Sequence, residues 1–275
     1  MTKRSRFSLV AIPFMASLLP LGIQAEEVVL YDAALNSSPG SQGWVEAVTG
    51  SSSQSLSGGR LFLDTTADMN DASGYATELP EPFFVFADGD LEHPAMPILD
   101  RNAGFSIDLG LQVLSENHLT RDDNFDGKDD RAGFSLITIS EDLLGVEIGF
   151  FEDRVFAYAS SGEGALSSFT QAEFALIDTT AADINYRLAV LNTGYELYAD
   201  GVSILSGLLR DYSAEGAVPN PYNNASLLFF GDDTSSASSS VAVSRVAATV
   251  TEPSVGILFL SGLLMFVARA KKRFN

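Results

Sequence analysis

The chain has 275 residues, 16 Lys and Arg against 36 Asp and Glu, a formal net charge of −20 and no cysteine. Its length and an apolar fraction of 46% suffice for a sizeable core and exclude wholesale disorder. The acidic balance repels phosphate backbones, which excludes nucleic acid as a partner, and zero cysteines exclude disulfides, thiolate zinc sites and Cys nucleophiles.

Residues 1–25 have the order of a secretory signal. Lys3, Arg4 and Arg6 precede an apolar run over 7–23, and Gln24-Ala25 follows, with cleavage expected after Ala25. An uncleaved anchor is the alternative. Strands are expected over 27–33 and 60–63, and the Ser-rich stretch 51–57 reads as a loop. Trp44, the only tryptophan, reads as core, because a lone aromatic in a strand is more often packed than a sugar platform. The polar segment 87–102, with two prolines, is another loop.

Alternation then sets in. Phe105, Ile107, Leu109, Leu111 and Val113 share one face of a strand, and Ser106, Asp108, Gly110 and Gln112 share the other. After it comes Asp122-Asp123-Asn124-Phe125-Asp126-Gly127-Lys128-Asp129-Asp130, the strongest site signal in the chain. Read as D-x-N-x-D-G-x-x-D, it offers side-chain oxygens from Asp122, Asn124, Asp126 and Asp130 and the carbonyl of Lys128, with Gly127 permitting the turn. Ca²⁺ takes six to eight oxygens, which alternate residues of a tight loop can aim at one centre. The EF-hand glutamate is missing, because Gly133 stands at the twelfth position; the segment resembles the calcium loops of thrombospondin type 3 repeats. The alternative is an acidic solvated turn.

Phe134 and Leu136 begin in one phase and Ile137 and Ile139 continue in the other, which predicts a bulge or a strand buried on both faces. Val146, Ile148 and Phe150 form the next strand, and Glu152-Asp153 form a turn before 153–159. Facing a cleft, those two carboxylates would suit sugar hydrolysis. A strand over 172–177 precedes a meander, in which Asn192-Thr193-Gly194 and Asp200-Gly201 are hairpin turns between Ile184, Tyr186, Leu188, Val190 and the strands that follow. Strands over 225–230 and 241–250 finish the domain; Asp232-Asp233 reads as a turn and Ser-rich 235–240 as a loop.

The C-terminus runs from Thr251-Glu252-Pro253 through uncharged residues 254–268 to Arg269, Lys271, Lys272 and Arg273. As a helix the uncharged stretch spans about 22 Å, short against a hydrocarbon core of about 30 Å, and the basic end stays cytoplasmic. This tail resembles the PEP-CTERM sorting signal of Gram-negative bacteria, with Thr251 in place of the first proline. The resemblance implies cutting near the motif by an exosortase-type enzyme, a transient membrane stage through the C-terminal helix, and delivery to the cell surface or extracellular matrix.

Two further resemblances bear on the fold. Tyr195-Glu196-Leu197-Tyr198-Ala199-Asp200-Gly201 resembles the hairpin of laminin G-like and concanavalin A-like domains, and the stretches 130–160, 208–212 and 227–238 resemble bacterial choice-of-anchor extracellular domains, a resemblance that spans roughly 100–250. Short antiparallel strands with frequent turns independently predict an all-β antiparallel sandwich or jelly roll over 26–250.

No catalytic constellation emerges. His93 and His118 are too few for a zinc triad, no G-x-S-x-G occurs, and the E-x-D-x-x-E signature of concanavalin-like glycosidases is absent. The sequence thus predicts an exported module that binds rather than catalyses, a Ca²⁺-stabilised matrix or adhesion protein engaging exopolysaccharide. The alternatives are a secreted glycoside hydrolase on the same fold and a ligand-free coat protein; two carboxylates facing a groove favour the hydrolase.

Overall fold

The computed structural model describes residues 25–48, 50–78, 92–118, 122, 127, 129–160, 169–214 and 221–251. Period-two sequences become strands: β1 (Ala25–Asp32), β2 (Val45–Val48), β3 (Ser53–Ser57), β4 (Arg60–Asp64), β5 (Ser73–Ala76), β6 (Phe105–His118), β7 (Ser135–Ile139) and β8 (Leu144–Phe150). They continue as β9 (Arg154–Tyr158), β10 (Gln171–Leu176), β11 (Ile184–Leu191), β12 (Gly194–Ala199), β13 (Val202–Leu208), β14 (Arg210–Asp211), β15 (Leu228–Asp232) and β16 (Ala237–Thr251). All pair antiparallel. Sheet A runs β13-β12-β11-β6-β16-β4-β3, with β1 also on β16; sheet B runs β10-β9-β8-β7-β15-β5-β2, with β14 on β8. The expected antiparallel β-sandwich is what the chain forms.

Between the sheets lie the predicted apolar rows. Ile107, Leu109, Leu111, Leu188 and Val246 of sheet A meet Leu136, Ile148, Val155 and Phe230 of sheet B, all buried. Full burial of each such side chain is worth about 1.5–3 kcal/mol, so this contact holds the sheets together without disulfides. Trp44 belongs here, its indole N–H donating to the Leu30 carbonyl at 2.8 Å and its ring edge-on to Phe230.

A second cluster covers the other face of sheet B. Ile137, Ile139, Phe156, Tyr158 and Phe229 pack there with Tyr212 and Tyr222. This explains the phase change in β7: Leu136 faces one cluster, Ile137 and Ile139 the other, so the strand is buried on both faces. Gly149 makes the contact possible, since a Cβ there would come within 2.7 Å of the Phe156 ring.

The meander β11-β12-β13 folds as its turn residues predict. Asp200 and Gly201 have φ of 48° and 80°, the left-handed pair of a type I′ turn. The Ser-rich stretches differ from expectation. Ser53–Ser57 is strand β3 and β16 begins at Ala237, because serine tolerates an extended backbone wherever a neighbouring strand supplies hydrogen bonds. Residues 1–24 of the expected signal peptide and the apolar C-terminal segment lie outside the described residues, among which no helix is long and apolar enough to cross a membrane.

Candidate functional site

The site begins with a break in pattern. Along β6, Val113 pairs with Val241 and Ser115 with Ser240, so Leu114 is an extra residue, a β-bulge. The bulge reverses the alternation. Glu116 and His118, rather than Ser115 and Asn117, then share the more covered side of the strand end. The His118 ring stacks on Phe151 at 4.2 Å, and the Glu116 N–H donates to Glu152 Oε1 at 3.0 Å.

His118 is held by carboxylates on both nitrogens. Its Nδ1 lies 2.7 Å from Glu116 and its Nε2 2.9 Å from Asp129. The hydrogen bond to Glu116 raises the imidazole pKa, with the charges of Glu116 and Asp129 adding to it against burial. Burial raises the Glu116 pKa as well, partly offset by His118, while Glu152 and Asp129 push it further up. Both groups therefore hold protons more tightly than they would in water, as acid–base residues commonly do.

Glu152 joins this cluster to an open groove of about 550 Å³, lined by Glu152, Asp153, Leu176, Ile177, Asp178 and Thr180. Glu152 and Asp153 stand in the turn between β8 and β9, as expected, and they face a groove. Asp153 accepts from Arg154 at 3.0 Å. Hydrogen bonds from the Thr180 hydroxyl and N–H lower the Asp178 pKa.

Other expected residues go elsewhere. Asp232 ends β15 in a buried position, accepting from the Thr65 hydroxyl, so it is not a plain turn residue. Asp233 lies 3.4 Å from Arg131, whose guanidinium stacks over Tyr158 and Phe169. Beneath them Glu147 is fully buried with its pKa raised by that burial, one oxygen accepting from Tyr222 and the other, Oε1, unpartnered. His93 is buried edge-on to Trp44, 3.2 Å from the Leu30 carbonyl, a packing role.

Of the five expected calcium ligands, Asn124, Asp126 and Lys128 lie outside the described residues. Asp122 Oδ2 accepts from the Gly127 N–H at 2.7 Å, and Gly127 has φ of 83°. Asp130 is buried and accepts from the Gln171 N–H. Among the described residues, no three His, Cys, Asp or Glu side chains are grouped to hold a metal.

No family model and no curated protein matches the chain. Among solved structures it is similar to the carbohydrate esterase vb_24B_21 of Shiga toxin-encoding bacteriophage phi24B, at TM-score 0.51 and 12% identity, covering 82% of this chain and 100% of that one. It is also similar to a Bacillus subtilis protein with a galectin-like fold, at TM-score 0.44 and 10% identity over 83% of this chain and 100% of that one. A β-1,3-1,4-glucanase (lichenase) from a mouse hindgut metagenome scores 0.43 at 10% identity, over 83% and 99%.

These findings correct the expectation of a chain without catalytic activity. A carbohydrate esterase shares the fold, and the folded chain assembles Glu116, His118, Asp129 and Glu152 beside a groove. The sequence argument against an enzyme rested on finding no such constellation. It did not name Glu116, placed Asp129 only within the Asp-rich loop, and dismissed His118 for want of zinc partners. The available signal was Glu-x-His at a strand end, two residues that must share a face.

Proposed function

We propose that this is an exported carbohydrate-processing β-sandwich that hydrolyses a glycan lying in the Glu152 groove. The observation that carries the proposal is the double role of Glu152, which lines the groove and receives the Glu116 N–H, so that groove and proton-holding cluster adjoin. Asp153 is committed to Arg154, so Glu152 is the carboxylate assigned to activate water or attack the sugar. The Glu116–His118–Asp129 relay supplies the proton to the leaving oxygen. Leu176 and Ile177 offer the groove an apolar wall for sugar faces. A net charge of −20 favours neutral or cationic glycans over polyuronates. The likeness to a carbohydrate esterase supports the fold's suitability for glycan chemistry. Export and C-terminal sorting by an exosortase-type enzyme belong to the same proposal, on the strength of residues 1–25 and 251–275.

The test is sugar and acyl release by the purified chain from a panel of neutral and amino-sugar polysaccharides. Release should fall by at least about 100-fold in Glu152→Gln and change its pH profile in His118→Gln. No release from any substrate, or full release by Glu152→Gln, overturns the proposal.

A further inference from the structure

Residues 177–180 leave β10 as irregular backbone, and within them Thr179 is only 1% exposed, an unusual burial for a threonine in a loop. Its hydroxyl donates to the Phe151 carbonyl at 2.7 Å and lies 3.2 Å from the Glu152 carbonyl. Its N–H donates to that Glu152 carbonyl at 3.1 Å, and its own carbonyl accepts from the Val113 N–H at 3.1 Å. Two neighbours reinforce the clasp. The Ile177 N–H donates to the Asp153 carbonyl at 3.0 Å, and Gln112 Nε2 donates to the Thr180 carbonyl at 2.7 Å.

These bonds join the two halves of the site. Phe151 carries the ring on which His118 stacks, and Glu152 lines the groove and receives the Glu116 N–H. Val113 is the last residue of β6 before the bulge at Leu114 that turns Glu116 and His118 to the covered side. Misplacing a reacting group by 1 Å can cost about 100-fold in rate, so the turn that carries Glu152 must be held against β6. A β-branched residue with few rotamers aims its hydroxyl at a fixed point. We propose that Thr179 is the positioning residue of this site, setting Phe151 and Glu152 against the end of β6 that carries Glu116 and His118. Thr179 is not among the residues lining the groove, so it acts through those it holds. The inference rests on the reading of Glu152 and His118 as the working groups.

The test compares Thr179→Val, which keeps the branched shape and removes the hydroxyl, with Thr179→Ser, which keeps the hydroxyl and removes a buried methyl. One readout needs no substrate. The His118 ring lies 4.2 Å from Phe151 at an interplanar angle of 8°, so its protons are shielded and shift upfield in the proton NMR spectrum. With two histidines in the chain, loss of a signal in His118→Gln assigns it. Thr179→Val should lose the upfield shift and lower kcat by at least about tenfold with little change in KM. Thr179→Ser should melt at a lower temperature yet keep both the shift and kcat. A residue with only a packing role gives the reverse order, because serine loses the methyl and valine does not. Parental shift and kcat in Thr179→Val, or equal losses in Thr179→Ser, overturn the assignment. A parent that releases no sugar sinks the functional reading instead, and the His118 signal then decides the role of Thr179 by itself.

Discussion

Asp232 turns burial into a measurable dependence on pH. Its side chain closes β15 against the other sheet, Oδ2 accepting from the Thr65 hydroxyl at 2.5 Å and Oδ1 from the Thr234 N–H at 3.1 Å. Burial, with Asp233 adding to it, pushes the carboxyl up to about 8 from an ordinary 3.8, against the two hydrogen bonds and Arg131. The folded state therefore holds a proton that the unfolded chain releases above about pH 4. Stability from this group is fully present below that pH and is lost as pH rises toward 8. Each pKa unit is worth about 1.4 kcal/mol, so the loss between pH 5 and pH 7 comes to about 3 kcal/mol. Asp232→Asn removes the titration and keeps the shape. Its amide can donate to Thr65 Oγ1 while that hydroxyl turns to the Ser239 carbonyl, already 3.3 Å away. Urea unfolding of both proteins at pH 5, 6, 7, 8 and 9 gives the difference in unfolding free energy. That difference should fall by about 3 kcal/mol from pH 5 to pH 7 and level off above pH 8, a change that the other buried carboxyls share in both proteins and so cannot produce. A difference that does not vary with pH refutes the reasoning.

Gly201→Ala should destabilise by about 1 kcal/mol, read as a lower urea midpoint at unchanged slope, because φ is 80° there while nothing crowds the added methyl. Protein recovered from the surface of the exporting cell should lack residues 255–275 by intact mass; finding the whole tail leaves a plain membrane anchor.

The second cluster and the proton-holding site illustrate one physical point. Alternation in β6, β8 and β11 and the Asp200-Gly201 turn are local facts, set by side-chain period and backbone sterics, and they were enough for an antiparallel sandwich. The Ser-rich strands escaped because serine carries no strand preference of its own; β3 exists only because β4 offers it a ladder.

The site was decided by the tertiary structure. Continuing the β6 period past Val113 would send Ser115 and Asn117 to the side that Glu116 and His118 occupy, and it is the bulge at Leu114, defined only against β16, that makes the exchange. Asp129 and Glu152 then reach the same point from two different loops, across 11 and 36 residues of chain. The sequence by itself determined the alternating strands and the turns between them, because each depends on neighbours a few residues apart. Which carboxylates are buried, and which of them share a proton with His118, depends on desolvation and on charges far along the chain, and those exist only once the sheets have packed.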